Sequence, residues 1–334
     1  MKKLRIGIIG CGRISVMHLV SAEKLEEAEL VACCDIKIER AEAVAEKYNI
    51  TAYTDYEEML KNENLDAVHI CLPHYIHTDV CKVAFEYGVN VLCEKPMDIN
   101  YEKAVNAVKL AKEKNILYGI VFQCRYNNSA QLVKNAVASG KLGKILSVSS
   151  VITWSRTDNY YSGSDWKGTW DKEGGGVIID QAIHSIDLVN WIVDSPIKNV
   201  SASMSNRGHK IIEVEDTAEG LITYENGTRY AFYCMNNFAN DEPIEIKMIC
   251  ENGKVVFGYD DAYIYYNDGT KEEAHQDEIL SYDGGMNYWG IQHIRQIKQF
   301  YRACLGKEPL EISGEVALGT HKLIMDIYSC GGMK

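Results

Sequence analysis

The sequence predicts an α/β protein. An N-terminal doubly wound parallel sheet is followed by a second α/β domain built on a large, open, mainly antiparallel sheet. Three observations carry this. Short apolar runs alternate with helical patterns through about residue 122. Three Asn-Gly or Asp-Gly turns then punctuate the β-patterned stretch that begins at residue 197. The length, 334 residues, suits about two domains, which the change of pattern sets at 1–122 and 123–334.

In the first part the apolar runs are 4–10, 30–35, a weak 51–53, 67–73, 89–96 and 117–122. They are apolar on both faces, as strands buried on both sides are. Between them, 38–48, 78–87 and 101–114 carry the 3.6-residue spacing of helices. Right-handed crossovers then give a doubly wound sheet. After a helix over 129–139 and a strand over 145–154, residues 155–176 form a polar, aromatic loop, and a helix follows from about 180 to 193. Asn226-Gly227, Asn252-Gly253 and Asp268-Gly269, each flanked by alternating residues, predict three hairpins. Helical patterns at 290–304 and 314–328 close the chain.

Lys and Arg total 35 and Asp and Glu 47, a net charge of −12. That balance disfavours nucleic acid and anionic membranes as partners. The opening lacks a secretory-leader pattern, and no apolar window is long enough to span a bilayer. The 11 cysteines include no CxxC pair, and several lie in apolar runs. A reducing cytoplasm is the expected compartment.

The first strand runs into Gly10-Cys11-Gly12-Arg13-Ile14-Ser15, a GxGxxS variant of the dinucleotide fingerprint. Gly10 allows the tight turn, and Gly12, without a Cβ, lets backbone approach a pyrophosphate. Arg13 and Ile14 lead into a helix whose first N–H groups favour phosphate. Asp35 ends the second strand, where a carboxylate accepts from ribose hydroxyls and repels a 2′-phosphate. NAD is therefore the expected cofactor. Nearby Lys37 and Arg40 leave NADP open.

At this point the chain resembles the Gfo/Idh/MocA oxidoreductases, over essentially its whole length. The marks are Glu94-Lys95-Pro96 after the fifth strand, the run from Gly174-Gly175-Gly176 through Asp180 and His184 to Asp187, and the loop Asp165-Trp166-Lys167-Gly168-Thr169-Trp170. The resemblance implies a Rossmann domain and a second domain whose sheet often joins subunits, hence a homodimer or homotetramer. It implies NAD(P)-dependent redox chemistry on a sugar, polyol or related compound. It also implies that Leu72, Pro73 and His77 line the cofactor, and that Trp166, in a Trp-Arg pair changed here to Trp-Lys, lies near it.

The chemistry of these residues agrees. Lys95, at the carboxyl end of a strand, is placed to stabilise a developing alkoxide. Glu94 is suited to orient the nicotinamide or hold Lys95, and Pro96 fixes the backbone there. Asp180, His184 and Asp187 are spaced i, i+4, i+7, one face of a helix. A metal is not called for, because hydride transfer to NAD needs none and no Cys/His cluster accompanies the trio. An imidazole with an ordinary pKa near 6.5 suits moving a proton at neutral pH. Asp180 either binds a hydroxyl beside the reacting carbon or steadies His184, and Asp187 is read as structural.

Other residues leave choices open. Arg125 reaches substrate or forms an interdomain ion pair. Tyr160, with Tyr161, Trp154 and Arg156, walls a sugar pocket or packs the loop. Tyr282 and Asp283-Gly284-Gly285 mark a loop able to close over a site, flanked by His293. The remaining histidines, His18 and His69 among them, show no shared spacing. The expected function is oxidation or reduction of a secondary hydroxyl. Two alternatives stand beside it. One is a redox-neutral enzyme that recycles NAD while eliminating from a glycoside or anhydro-sugar. The other is a non-catalytic NAD-binding regulator, disfavoured because Lys95, Asp180 and His184 are all present.

Overall fold

A computed structural model describes residues 3–276 and 292–333. Tyr282 and the Asp283-Gly284-Gly285 loop lie outside them. Six strands come first, β1 (Leu4–Ile9), β2 (Ala28–Cys34), β3 (Thr51–Tyr53), β4 (Ala67–Ile70), β5 (Asn90–Cys93) and β6 (Tyr118–Ile120). Between them run α1 (Ser15–Lys24), α2 (Ile38–Tyr48), α3 (Tyr56–Asn62), α4 (His77–Glu86) and α5 (Tyr101–Glu113). Eight more strands follow, β7 (Ile145–Thr153), β8 (Ile197–Ser205), β9 (Thr217–Tyr224), β10 (Arg229–Met235), β11 (Glu245–Cys250), β12 (Gly253–Phe257), β13 (Ala262–Tyr266) and β14 (Lys271–Ala274). The later helices are α6 (Asn128–Ala138), α7 (Asp158–Ser162), α8 (Ile183–Val193), α9 (His293–Cys304) and α10 (Gly314–Cys330).

The chain forms two compact units. One holds residues up to Gln123 together with a late segment ending at Gly319, and the other begins at Cys124 and resumes at Thr320. A single cut at 122/123 therefore does not describe the division, because the chain returns to the first unit after building most of the second.

The first unit is a parallel sheet in the order β3-β2-β1-β4-β5-β6. Its strand order reverses between β1 and β4, the switch point at which such sheets bind ligands. The late segment completes this unit. Ile297, Phe300 and Tyr301 of α9 are fully buried in the same core as Ile6, Ile8 and Leu19. Gln296 serves the open edge of β6, accepting from the Phe122 N–H at 3.0 Å and donating to the Ile120 carbonyl at 2.7 Å. The Ile120 N–H donates to the Ile312 carbonyl at 3.1 Å. An edge strand that would otherwise expose backbone groups is thus paired.

The second unit is one sheet ordered β14-β13-β12-β11-β7-β10-β9-β8. Its pairings are antiparallel except β7 with β10, which run parallel. The three Asn-Gly and Asp-Gly turns join β9 to β10, β11 to β12, and β13 to β14. Strict alternation along β11, whose residues are exposed and buried in turn, shows one covered face and one open face. On the open face Leu146, Val151, Leu221 and Ile249 are 39–49% exposed. Among the described residues no helix is long and apolar enough to cross a membrane.

Candidate active site

In the first unit, β1 delivers the chain to Gly10, whose φ of 96° suits glycine. A Cβ there would lie 2.2 Å from the Cys71 carbonyl oxygen. At Gly12 a Cβ would meet nothing within 4 Å, so the surface stays open to a close-approaching group. Arg13 is exposed, Ile14 is half-buried, and α1 starts without a side-chain cap. Ser15, in the third fingerprint position, is buried and donates to the Gly12 carbonyl at 2.6 Å. Asp35 accepts from the Cys11 and Lys37 N–H groups, both at 2.9 Å. Its carboxylate is thereby pinned beside the glycine loop. Ile36, next in the chain, is 87% exposed. An open glycine, an uncapped helix start and a fixed carboxylate at the neighbouring strand end are the features that receive a dinucleotide.

Leu72 and Pro73 are half-buried beyond β4. His77 is fully buried, and its two ring nitrogens face the Pro96 carbonyl at 2.7 Å and the Leu72 carbonyl at 2.8 Å. Burial pulls this imidazole below its ordinary pKa, against the pull of the two carbonyls. His77 thus ties the β4 loop to the segment after β5. That segment carries half-buried Lys95 and a cis Lys95–Pro96 bond.

Glu94 points into the unit. Its Oε1 faces His18 Nε2 at 2.9 Å and His293 Nε2 at 3.4 Å. Its Oε2 accepts from the Lys95 N–H at 3.3 Å. His18 Nδ1 in turn faces His69 Nδ1 at 2.9 Å. Burial pushes the Glu94 carboxyl up, but the two imidazoles outweigh it and hold the group well below the usual range. Burial lowers His69 and His293.

In the second unit the predicted helix starts differently. Residues Ile178–Ala182 form a π-helical turn before α8, the kind of irregularity that re-aims side chains at functional sites. Asp180 therefore stands on the π-turn, and His184 and Asp187 follow on α8. The turn is held by Glu215, which accepts from the Gly176 N–H at 2.9 Å, the Ile178 N–H at 3.1 Å and the Tyr328 hydroxyl at 2.8 Å. Burial raises the Glu215 carboxyl to about 7.

Asp180 Oδ2 accepts from the Tyr160 hydroxyl at 2.7 Å, Lys167 Nζ at 3.0 Å and Gln181 Nε2 at 2.6 Å. Lys167 also reaches Glu173 at 3.4 Å, and its ammonium lies 4.5 Å from the centre of the half-buried Trp166 ring. Burial opposes the Lys167 charge, yet Asp180, Tyr160 and Glu173 hold its pKa well above the ordinary value. Burial lifts Glu173 to about 7, with Lys167 opposing. His184 is buried on the first turn of α8.

The structure gives partners to several residues whose roles the sequence leaves open. Arg125 donates to Asp187 through Nε at 2.8 Å and through a terminal nitrogen at 2.6 Å, and the Thr320 hydroxyl joins at 2.7 Å. This ion pair lies inside the second unit, with the guanidinium fork meeting both carboxylate oxygens. Arg156 pairs with Asp241 at 3.0 Å, the Trp154 indole donates to the Glu242 carbonyl, and Tyr161 accepts from Asn236. These contacts hold the loop, and Tyr160 reaches Asp180. The close approaches at Gly175 and Gly176 are to this chain's own Tyr328 hydroxyl and Glu215 carbonyl, each 1.9 Å from where a Cβ would stand. The histidine cluster, Lys167 on Asp180, and Glu215 had no signal in spacing, because their partners lie 13 to 199 positions away.

Family comparisons agree with this geometry. A model described as the oxidoreductase family, NAD-binding Rossmann fold, of GFO/IDH/MocA type matches residues 4–122. A model of the GFO/IDH/MocA C-terminal domain matches residues 130–256. The D-glucoside 3-dehydrogenase of Escherichia coli is 27% identical, covering 97% of this chain and 94% of its own. The myo-inositol 2-dehydrogenase of Thermotoga maritima is 23% identical, covering 93% and 91%. The WlbA dehydrogenase of Bordetella pertussis, solved with NADH and UDP-GlcNAcA, superposes with a TM-score of 0.85 at 27% identity, covering 98% and 96%.

Proposed function

Because this chain belongs to the GFO/IDH/MocA family of oxidoreductases, with an NAD-binding Rossmann domain at its start, we propose that it is a dehydrogenase of a secondary hydroxyl on a sugar, inositol or sugar derivative. The observation that carries this reading is the position of Lys95 just beyond β5, at the carboxyl edge of the sheet that also bears Gly12 and Asp35.

NAD, when bound, would supply the hydride acceptor. His184 accepts the hydroxyl proton as the carbon loses hydride and its C–O bond becomes C=O. Lys95 donates a hydrogen bond to the oxygen as it gains charge. Asp180, already steadied by Tyr160, Lys167 and Gln181, receives a neighbouring hydroxyl. Glu94 and His77 act behind Lys95 by fixing its main chain. Asp35 favours NAD over NADP, and exposed Ile36 offers apolar cover to an adenine. Most of the thiols are buried as small hydrophobes, which suits a reducing cytoplasm.

The test is a screen of myo-inositol, methyl D-glucoside, anhydro-sugars and UDP-GlcNAcA with NAD and NADP, followed at 340 nm and by product analysis. Accumulating NADH supports net oxidation. Product without NADH assigns the recycling chemistry, and NADH binding with no product from any compound assigns a regulator. Lys95→Ala and His184→Ala are each expected to keep NADH binding and lose turnover by ~10²-fold or more. Near-normal turnover in both overturns the roles assigned to these two residues.

The open face of the eight-stranded sheet, with Leu146, Val151, Leu221 and Ile249 exposed, is proposed to be covered by a second copy of the chain. Light scattering at micromolar concentration should return a dimer or tetramer, and a monomer refutes this.

A further inference from the structure

His18, His69 and His293 stand on α1, β4 and α9 and meet at Glu94 in the first unit. The nearest ligand atoms of His18, Glu94 and His293 lie within 4.8 Å of one another, a spread that a divalent ion can bridge. The individual contacts favour protons instead. Both imidazoles converge on the same carboxylate oxygen at 2.9 and 3.4 Å. The far nitrogen of His18 is already taken by His69 at 2.9 Å.

With Glu94 ionised, one set of protons satisfies every contact. His18 and His293 carry theirs on Nε2 and donate to Glu94. His18 Nδ1 is then bare and accepts from His69 Nδ1–H. This leaves His69 Nε2 and His293 Nδ1 as unprotonated acceptors, and those are the two ring nitrogens of this group that lack a hydrogen-bond partner among the described residues. A bare acceptor is easier to bury unsatisfied than an N–H. All three rings are neutral in this arrangement, which agrees with the effect of burial on His69 and His293. The other titratable groups that feel Glu94 are Cys71 beyond β4, Cys93 at the end of β5 and His77 at the start of α4.

The other end of the same carboxylate holds the Lys95 N–H at 3.3 Å. We propose that His18, His69 and His293 are positioning residues, a file of neutral imidazoles that keeps Glu94 anionic and fixed and through it sets the place of Lys95. The proposal rests on the reading of Lys95 as the group that steadies the reacting oxygen. Misplacement of such a group by about 1 Å costs roughly 10²-fold in rate.

The experiment compares His18→Ala, His293→Ala, His18→Gln, His293→Gln and Lys95→Ala, using whichever of myo-inositol, methyl D-glucoside or UDP-GlcNAcA gives NADH with the unaltered protein. The alanine variants should lower kcat by ~10- to 100-fold while KM and NADH affinity stay within about threefold. The glutamine variants, which retain a donor toward Glu94, should restore most of kcat. Unchanged kcat in both alanine variants, or glutamine no better than alanine, overturns the proposal. If Lys95→Ala itself keeps turnover, the underlying reading fails and not the histidine file. Nitrogen-15 histidine spectra of the unaltered protein at pH 7 decide the matter without any substrate, even if a variant fails to fold. Neutral Nε2–H forms of His18 and His293 with a neutral Nδ1–H form of His69 are expected, and an imidazolium at any of the three refutes the file.

Discussion

Two glycine-rich segments, Gly10–Gly12 after β1 and Gly174–Gly176 before the π-turn, resemble each other in sequence and differ in what crowds them. A methyl at Gly176 would strike the Glu215 carbonyl at 1.9 Å, and one at Gly10 the Cys71 carbonyl at 2.2 Å. One at Gly12 would touch nothing within 4 Å. A glycine hemmed in by its own chain is required by folding. A glycine in open space beside a helix start leaves room for backbone to approach a phosphate group. On the proposed reading the second segment builds the site, and the first, at Gly12, is the one left open to a ligand.

The comparison can be broken most forcefully at the second segment. Gly176→Ala should destabilise the second unit by about 3 kcal/mol, because backbone must move to admit the methyl. Urea unfolding measures this, and a midpoint equal to that of the unaltered protein would show that Glu215 yields freely.

The two units should also differ in their response to pH. Glu215, lifted by burial to about 7 from its ordinary 4.5, keeps its proton in the folded chain where the unfolded chain has released it. Its contribution is present below about 4.5 and fades as pH rises toward about 7, by up to about 3 kcal/mol. Glu94 has the opposite sign. Held low by its two imidazoles, it contributes above its ordinary pKa and loses that contribution as the solution is acidified. Urea midpoints at pH 5 and pH 7 should therefore diverge less in Glu215→Gln than in the unaltered protein, and an equal divergence would remove Glu215 from the account.

The smallest effect on stability belongs to Gly12→Ala. The folded state should lose nothing and gain up to ~1 kcal/mol from a stiffer unfolded chain. NADH affinity, read by fluorescence titration, should fall about tenfold or more as the methyl meets the pyrophosphate, a change of ~1.4 kcal/mol. Full affinity in this variant would end the distinction between the two glycine segments.

Much of the first sheet was legible because its information is local. Each strand is a short apolar run, Asp35 falls where its strand ends, and the three hairpins announce themselves by Asn-Gly and Asp-Gly. The site was legible only in part. Lys95, Asp180 and His184 stood out through residue type and context, but spacing did not announce the π-helical winding through 178–182, which is held by Glu215, a residue on a distant segment. Arg125 and Asp187 are 62 positions apart, and His18, Glu94 and His293 are scattered over most of the chain. No periodicity links such residues, and their meeting is a product of tertiary packing. The same holds for the parallel pairing of β7 with β10.

The late entry of α9 into the first unit has a consequence for how the molecule is made. A ribosome releases α1 and the six parallel strands long before it has translated Phe300 and Tyr301, which fill the same core. Until then the nascent nucleotide-binding domain carries a bare apolar seam and an unguarded β6 edge, with the whole eight-stranded sheet emerging in the interval. Completion of the first unit thus waits on α9, so termination before α9 should yield a chain with this core exposed rather than a stable half.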